Sequence, residues 1–157
     1  MEKRSLSLGK KLITMGEYSE FRSRTGKLTC TKEDVFNFVT DIRNFRQFIT
    51  NDSIRNWQAD RESCSFEVPP VGSVTVRLSE KEPYERVLFT GDALQSNEFS
   101  LLLVISGNEN EPAEVRVMLR AELNPLMKMV VTKPLEQFLE ILISEMEKFR
   151  GWKDTIA

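Results

Sequence analysis

Residues 114–123, "EVRVMLRAEL", alternate without a fault and then give way to the longest helical pattern in the chain. Val115, Val117, Leu119, Ala121 and Leu123 fall on one side. Glu114, Arg116, Arg120 and Glu122 leave Met118 as the one uncharged residue on the other. A period of two with a dry side and a wet side describes a strand in a half-covered antiparallel sheet, and the dry side needs a cover. The next residues supply it. Met127, Val131, Leu135, Phe138, Leu142, Met146 and Phe149 step by 4, 4, 3, 4, 4 and 3, which is a continuous helical stripe. Glu136, Gln137, Glu140, Ser144, Glu147 and Lys148 make the wet side of its second half.

Asn124 suits the N-cap, and Pro125 suits the first helical position, where a missing N–H costs nothing. From there to Phe149 a continuous helix of about 25 residues would span roughly 38 Å. Pro134 removes a hydrogen bond and crowds the carbonyl four residues earlier, so a kink or break is expected there. The half before it, "PLMKMVVTK", is apolar on most sides and is expected to be a shorter, more enclosed segment angled across one end of the sheet.

Upstream, "YSEFRSRTGKLTC" predicts a first strand over 18–30, with Gly26 at a bulge or bend. Thr31 predicts an N-cap, with Asp34 in the capping-box position. "VFNFVTDIRNFRQFI" then carries an apolar face through Val35, Phe36, Val39, Ile42, Phe45, Phe48 and Ile49, and Asp41 and Asn44 predict its division into two short helices. "SIRNWQAD", "CSFEVP", "GSVTVRLSE", "ERVLFTGDAL" and "EFSLLLVISG" follow as strands with turn residues between them. Connections this short imply antiparallel pairing. The class is α+β.

Composition closes several routes. The chain has no histidine, which removes Ser-His-Asp and Cys-His catalysis and the histidine-based zinc and iron sites together. No metal or cofactor is expected. With 22 basic and 24 acidic residues, the net charge of −2 is a poor basis for nucleic-acid binding. Cys30 and Cys64 stand far apart, outside any CxxC, and fit free thiols in a reducing compartment. No run approaches the ~18 apolar residues of a membrane span, and a cytoplasmic location is the default. Residues 1–16 are polar and basic and are expected to be a flexible extension, with Met15 a candidate start; residues 17–157 are expected to form a single domain.

One strand, two short helices, six strands and a long C-terminal helix resembles the START-like, or SRPBCC, superfamily with its helix-grip arrangement. This superfamily includes steroidogenic-acute-regulatory-related lipid-transfer domains, birch-pollen-allergen-type proteins and small bacterial polyketide cyclase/dehydrase-like proteins. The stretches that carry the resemblance are "FNFVTDIRNFRQFI", "PPVGSVTVRLSEKEPYERVLFTG" and "AELNPLMKMVVTKPLEQFLEIL", within residues 18–152. The superfamily has no shared catalytic motif. The resemblance implies a curved sheet of about seven strands gripping the C-terminal helix, in the order β-α-α-β6-α, with a cavity between them that often takes a hydrophobic ligand.

In such a cavity Phe89, Phe99, Leu101, Leu103, Val117 and Leu119 are the expected sheet wall. Met127, Val131, Leu135 and Phe138 are the helix wall, with Phe45, Phe48 and Trp57 near the mouth. The same residues equally describe a filled core, because interiors pack densely and aromatics at helical spacing are most often core. Lys128, a charge within the apolar half of the helix, could anchor a ligand carboxylate or phosphate, or simply reach water. Asp41, Arg77, Tyr84 and Glu98 are polar candidates of the same double kind. Leu102 and Val104 give the outer face of their strand an apolar patch that offers a homodimer contact. Three functions remain open. The first is binding or carrying a small apolar molecule. The second is a cyclase or dehydratase working through Asp, Glu, Lys or Tyr, and the third is a protein-interaction module without ligand.

Overall fold

The computed structural model describes residues 18–49, 54–69, 71–93 and 97–153. The expected extension over residues 1–16 lies outside them. Six strands, β3 (Arg55–Ala59), β4 (Ser63–Val68), β5 (Gly72–Glu82), β6 (Arg86–Ala93), β7 (Asn97–Ser106) and β8 (Glu114–Glu122), pair in sequence order as an antiparallel meander. The first strand is divided into β1 (Tyr18–Arg22) and β2 (Gly26–Lys27), and both pieces pair with β8, so the sheet has eight strands. Gly26, the first residue of β2, is a point of close approach to the long helix. A Cβ there would lie 2.7 Å from Ile143 Cγ2, so the backbone is what lets the long helix seat on this corner.

Register lines the alternating side chains into rows. Phe21, Leu119, Leu101, Phe89 and Leu78 are successive partners across five strands, and Val117, Leu103 and Val87 form the row beside them. Register shifts between Arg55 and Gln58 and between Leu78 and Glu80 mark bulges, which bend and twist the sheet locally. Asn56 takes a φ of 56° in the first shift, which disrupts the alternation around Trp57.

The helix before the meander, α1 (Lys32–Val39), begins with the expected capping box. The Asp34 N–H donates to Thr31 Oγ1 (3.2 Å), and the Thr31 N–H donates to Asp34 Oδ2 (3.3 Å). Asp41 caps a 3-10 helix, Ile42–Phe48. Asn44 does not end a helix; it lies buried in the 3-10 turn, where its side-chain amide satisfies the Phe38 carbonyl (2.8 Å). At this end of the molecule Phe38, Phe48, Phe149 and Trp152 touch in all six pairings, with centroids 5.0–5.9 Å apart.

The C-terminal helix, α2 (Pro125–Lys148), is capped by Asn124, whose Oδ1 accepts from the Met127 N–H (2.8 Å). It runs unbroken through Pro134. Its apolar stripe closes on the sheet through Val131, Leu139, Leu142, Ile143 and Met146, all buried. The architecture is the helix-grip one. The helix's first half corrects the sequence expectation, because it is open rather than enclosed. Leu126, Met129 and Val130 are 71%, 80% and 52% exposed. A helix lying on one sheet buries one side only, and these residues point away from the side that holds Val131.

A candidate ligand cavity between sheet and helix

Where the grip is widest the interior is not filled. A cavity of about 440 Å³ lies between the inner face of the meander, the 3-10 helix and the middle of α2. That volume is in the range of pockets for drug-sized molecules, roughly 300–1,000 Å³. The sheet wall is built by Phe89, Phe99, Leu101 and Leu119, which alternation aims inward. Phe45 stands edge-on to Phe89 (5.3 Å) and joins Phe48 (5.9 Å) on the 3-10 side. Trp57 stacks on Phe66 (5.8 Å, 23°) at the β3–β4 end. Val131, Leu135 and Phe138 face them from α2.

Gly91 gives this wall its shape. A Cβ there would meet the Thr75 carbonyl at 2.1 Å and the Phe99 ring at 2.9 Å. The missing side chain therefore permits Phe99 to lie against the β6 backbone beside the cavity.

Of the sequence-predicted wall residues, Leu103, Val117 and Met127 do not line the cavity. Leu103 and Val117 sit in the neighbouring row of the sheet, fully buried in packed core. Met127 is half-buried to one side of it. The filled-core alternative thus describes one part of the interior and the cavity another. Lys128 is exposed and off the lining. Arg77 and Glu98 are exposed on the sheet, and Tyr84 packs edge-on to Phe36 (5.4 Å). Asp41 pairs with Arg43 (2.6 Å); the Arg43 hydrogen bond holds its carboxyl below the usual range. None of these four borders the cavity. Leu102 and Val104 are half-buried on the outer face.

Sequence alone missed the wall contributed by β4 and β5, including Cys64, Phe66, Val74 and Val76. Their period of two is intact, through Cys64, Phe66 and Val68 and through Val74, Val76 and Leu78; what the sequence did not show is that this part of the sheet also curls round the cavity. Among the described lining residues, Gln137, Cys64 and the indole N–H of Trp57 bring polar side-chain groups. Burial, followed by the charge of Asp60, pushes the Cys64 thiol up to about 11, so it is a neutral hydrophobe at ordinary pH. Cys30, raised to about 12 mainly by burial, is likewise neutral, and both cysteines are free. Among the described residues no carboxylate, lysine or tyrosine lines the cavity, and no cluster of His, Cys, Asp and Glu could hold a metal ion. The lining residues that are exposed, Pro69, Pro134 and Gln137, place the opening between the β4–β5 turn and the middle of α2.

No family model and no curated protein matches the sequence. Solved structures match the fold. Mll3558 from Rhizobium loti superposes with a TM-score of 0.58 at 11% identity, covering 82% of this chain and 96% of that one. Norcoclaurine synthase from Thalictrum flavum, in complex with dopamine and hydroxybenzaldehyde, superposes with a TM-score of 0.59 at 6% identity, covering 95% and 99%. CV1439 from Chromobacterium violaceum gives 0.53 at 9% identity, covering 83% and 98%. Likeness at such identities establishes a shared helix-grip fold and nothing about activity.

Proposed function

We propose that this chain binds and carries a small apolar molecule in the cavity between the sheet and α2, as a lipid-transfer-like member of the START-like superfamily. The observation that carries the proposal is the lining: 27 of the described residues, all with apolar side chains but Gln137, the neutral Cys64 and the Trp57 indole N–H. Each 100 Å² of apolar ligand surface removed from water there contributes about 2.5 kcal/mol. An ionised group would lose its hydration among these walls without a partner, so the enclosed part of the ligand is uncharged. The Gln137 amide, at the opening, orients the ligand's polar end. A cyclase or dehydratase would need a general acid or base within reach of the substrate, and the lining offers none among the described residues.

Mass spectrometry of an organic extract of natively purified protein tests this. One stoichiometric apolar compound is expected. Val131→Trp fills the cavity from the helix side and should abolish both the compound and uptake of the neutral dye Nile red, with the thermal transition retained. If Val131→Trp unfolds the chain, Leu135→Trp, at a half-buried position, repeats the test. Dye uptake unchanged in a folded variant would overturn the proposal.

A further inference from the structure

The first two turns of α2 present an apolar surface that is largely open. Leu126, Met129 and Val130 are the most exposed large hydrophobic side chains described. Spacings of three and four place them together on the side of the helix opposite Val131 and Leu135. Leu126 and Val130 continue, at the same spacing, to the exposed Pro134 and Gln137 at the cavity opening. An apolar track therefore runs along one helix from its N-terminal turn to the entrance.

Charge narrows what can cover this track. Lys128 and Lys133 are both exposed, and no acidic residue occurs between Glu122 and Glu136. Two copies of this chain meeting face to face would bring like charges together. The chain's own amino-terminal residues fit no better, since Lys3, Arg4, Lys10 and Lys11 outnumber Glu2 and Glu17 and carry the same sign. Lys133 lies in the track itself, four residues after Met129 and three after Val130. An apolar strip that carries a lysine and no acid matches the boundary of an anionic bilayer, where apolar side chains enter the acyl region and ammonium groups meet headgroups.

We infer that the first half of α2 docks this protein on an anionic lipid surface, with the cavity opening set at the membrane boundary. An apolar ligand then passes between bilayer and cavity along Val130 and Pro134 without crossing water. That use of the surface rests on the carrier function proposed above; the docking itself does not.

Sedimentation of the full chain with vesicles decides it. Vesicles of phosphatidylcholine with one third phosphatidylglycerol should bring the protein down, and pure phosphatidylcholine vesicles should do so far less. Lys133→Gln should weaken partitioning about fivefold, and Lys128→Gln, on the opposite side of the helix, far less. The variant L126S/M129S/V130S changes exposed positions only; it should keep its thermal transition and lose more than about tenfold in partitioning. No sedimentation with either vesicle, or sedimentation undiminished in the serine variant, overturns the inference. So does a wild-type dimer that the serine variant dissolves while vesicle binding is unchanged. Val131→Trp keeps the two proposals apart, since it should bind vesicles like wild type while taking up no Nile red. Vesicle binding with no dye uptake by wild type would overturn the carrier and leave the docking surface standing.

Discussion

Single residues set the dimensions of the cavity. Gly91 is the sharpest case, because the space its side chain would need is already held by the Thr75 carbonyl and the Phe99 ring. Gly91→Ala is expected to cost about 1–3 kcal/mol, the usual range for overpacking. A thermal melt should show the transition falling by several degrees, and an unchanged melting temperature would mean that β6 has slack its register does not suggest. The sequence marks this glycine only as an interruption in a strand. What it accommodates, a carbonyl on one neighbour and a ring on the other, depends on pairing with β5 and β7. Cys64 makes the same point from the other side. Its type is visible in the sequence, but its place in an apolar wall and its raised thiol pKa come from burial.

At the scale of elements, α2 is held at its two ends by different means. The second half is clasped to the bend between β1 and β2 by Arg24, which donates to Glu140 (3.1 Å), Ser144 (3.1 Å) and Glu147 (2.9 Å). Glu147 also accepts from the Lys27 N–H (2.9 Å). The first half has no such clasp among the described residues, and its outward side is apolar. The Arg24 and Lys27 hydrogen bonds hold the Glu147 carboxyl below its ordinary value of 4.5. A depressed carboxylate stabilises the fold only while ionised. Its contribution is therefore complete above about pH 5 and fades as pH falls through the lowered folded value. Glu147→Gln should flatten the decline of stability between about pH 5 and pH 3, measured by urea unfolding at each pH. The loss at neutral pH should be small, because the pair is solvent-screened. An identical pH slope in wild type and variant would remove Glu147 from the account. The caps of both helices were legible in sequence because a cap is decided within four residues. The openness of the first half of α2 was not, because how far a sheet reaches under a helix is a property of the sheet.

For the molecule as a whole, register converts a list of strands into a curved wall. On its outer face Leu88, Leu102 and Met118 are successive partners, and Leu102 and Val104 are half-buried. If that face joins two copies, light scattering at high concentration should give twice the mass of one chain, and Leu102→Lys should halve it. A single-chain mass in wild type would remove the homodimer. The order of elements, the caps, the alternation of β8 and the apolar stripe of α2 were determined by the sequence itself, because each depends on neighbours within a turn or a strand. That Phe89, Phe99, Leu101 and Leu119 belong together was legible for the same reason, since they lie on strands of clear period. The sequence could not assign Leu103 and Val117 to packed core and Leu101 and Leu119 to cavity wall. These four alternate alike, and they differ only in what stands above them once α2 and the 3-10 helix have docked. Whether an apolar surface encloses a void or fills it is decided by the spacing between elements, and only the tertiary structure sets that spacing.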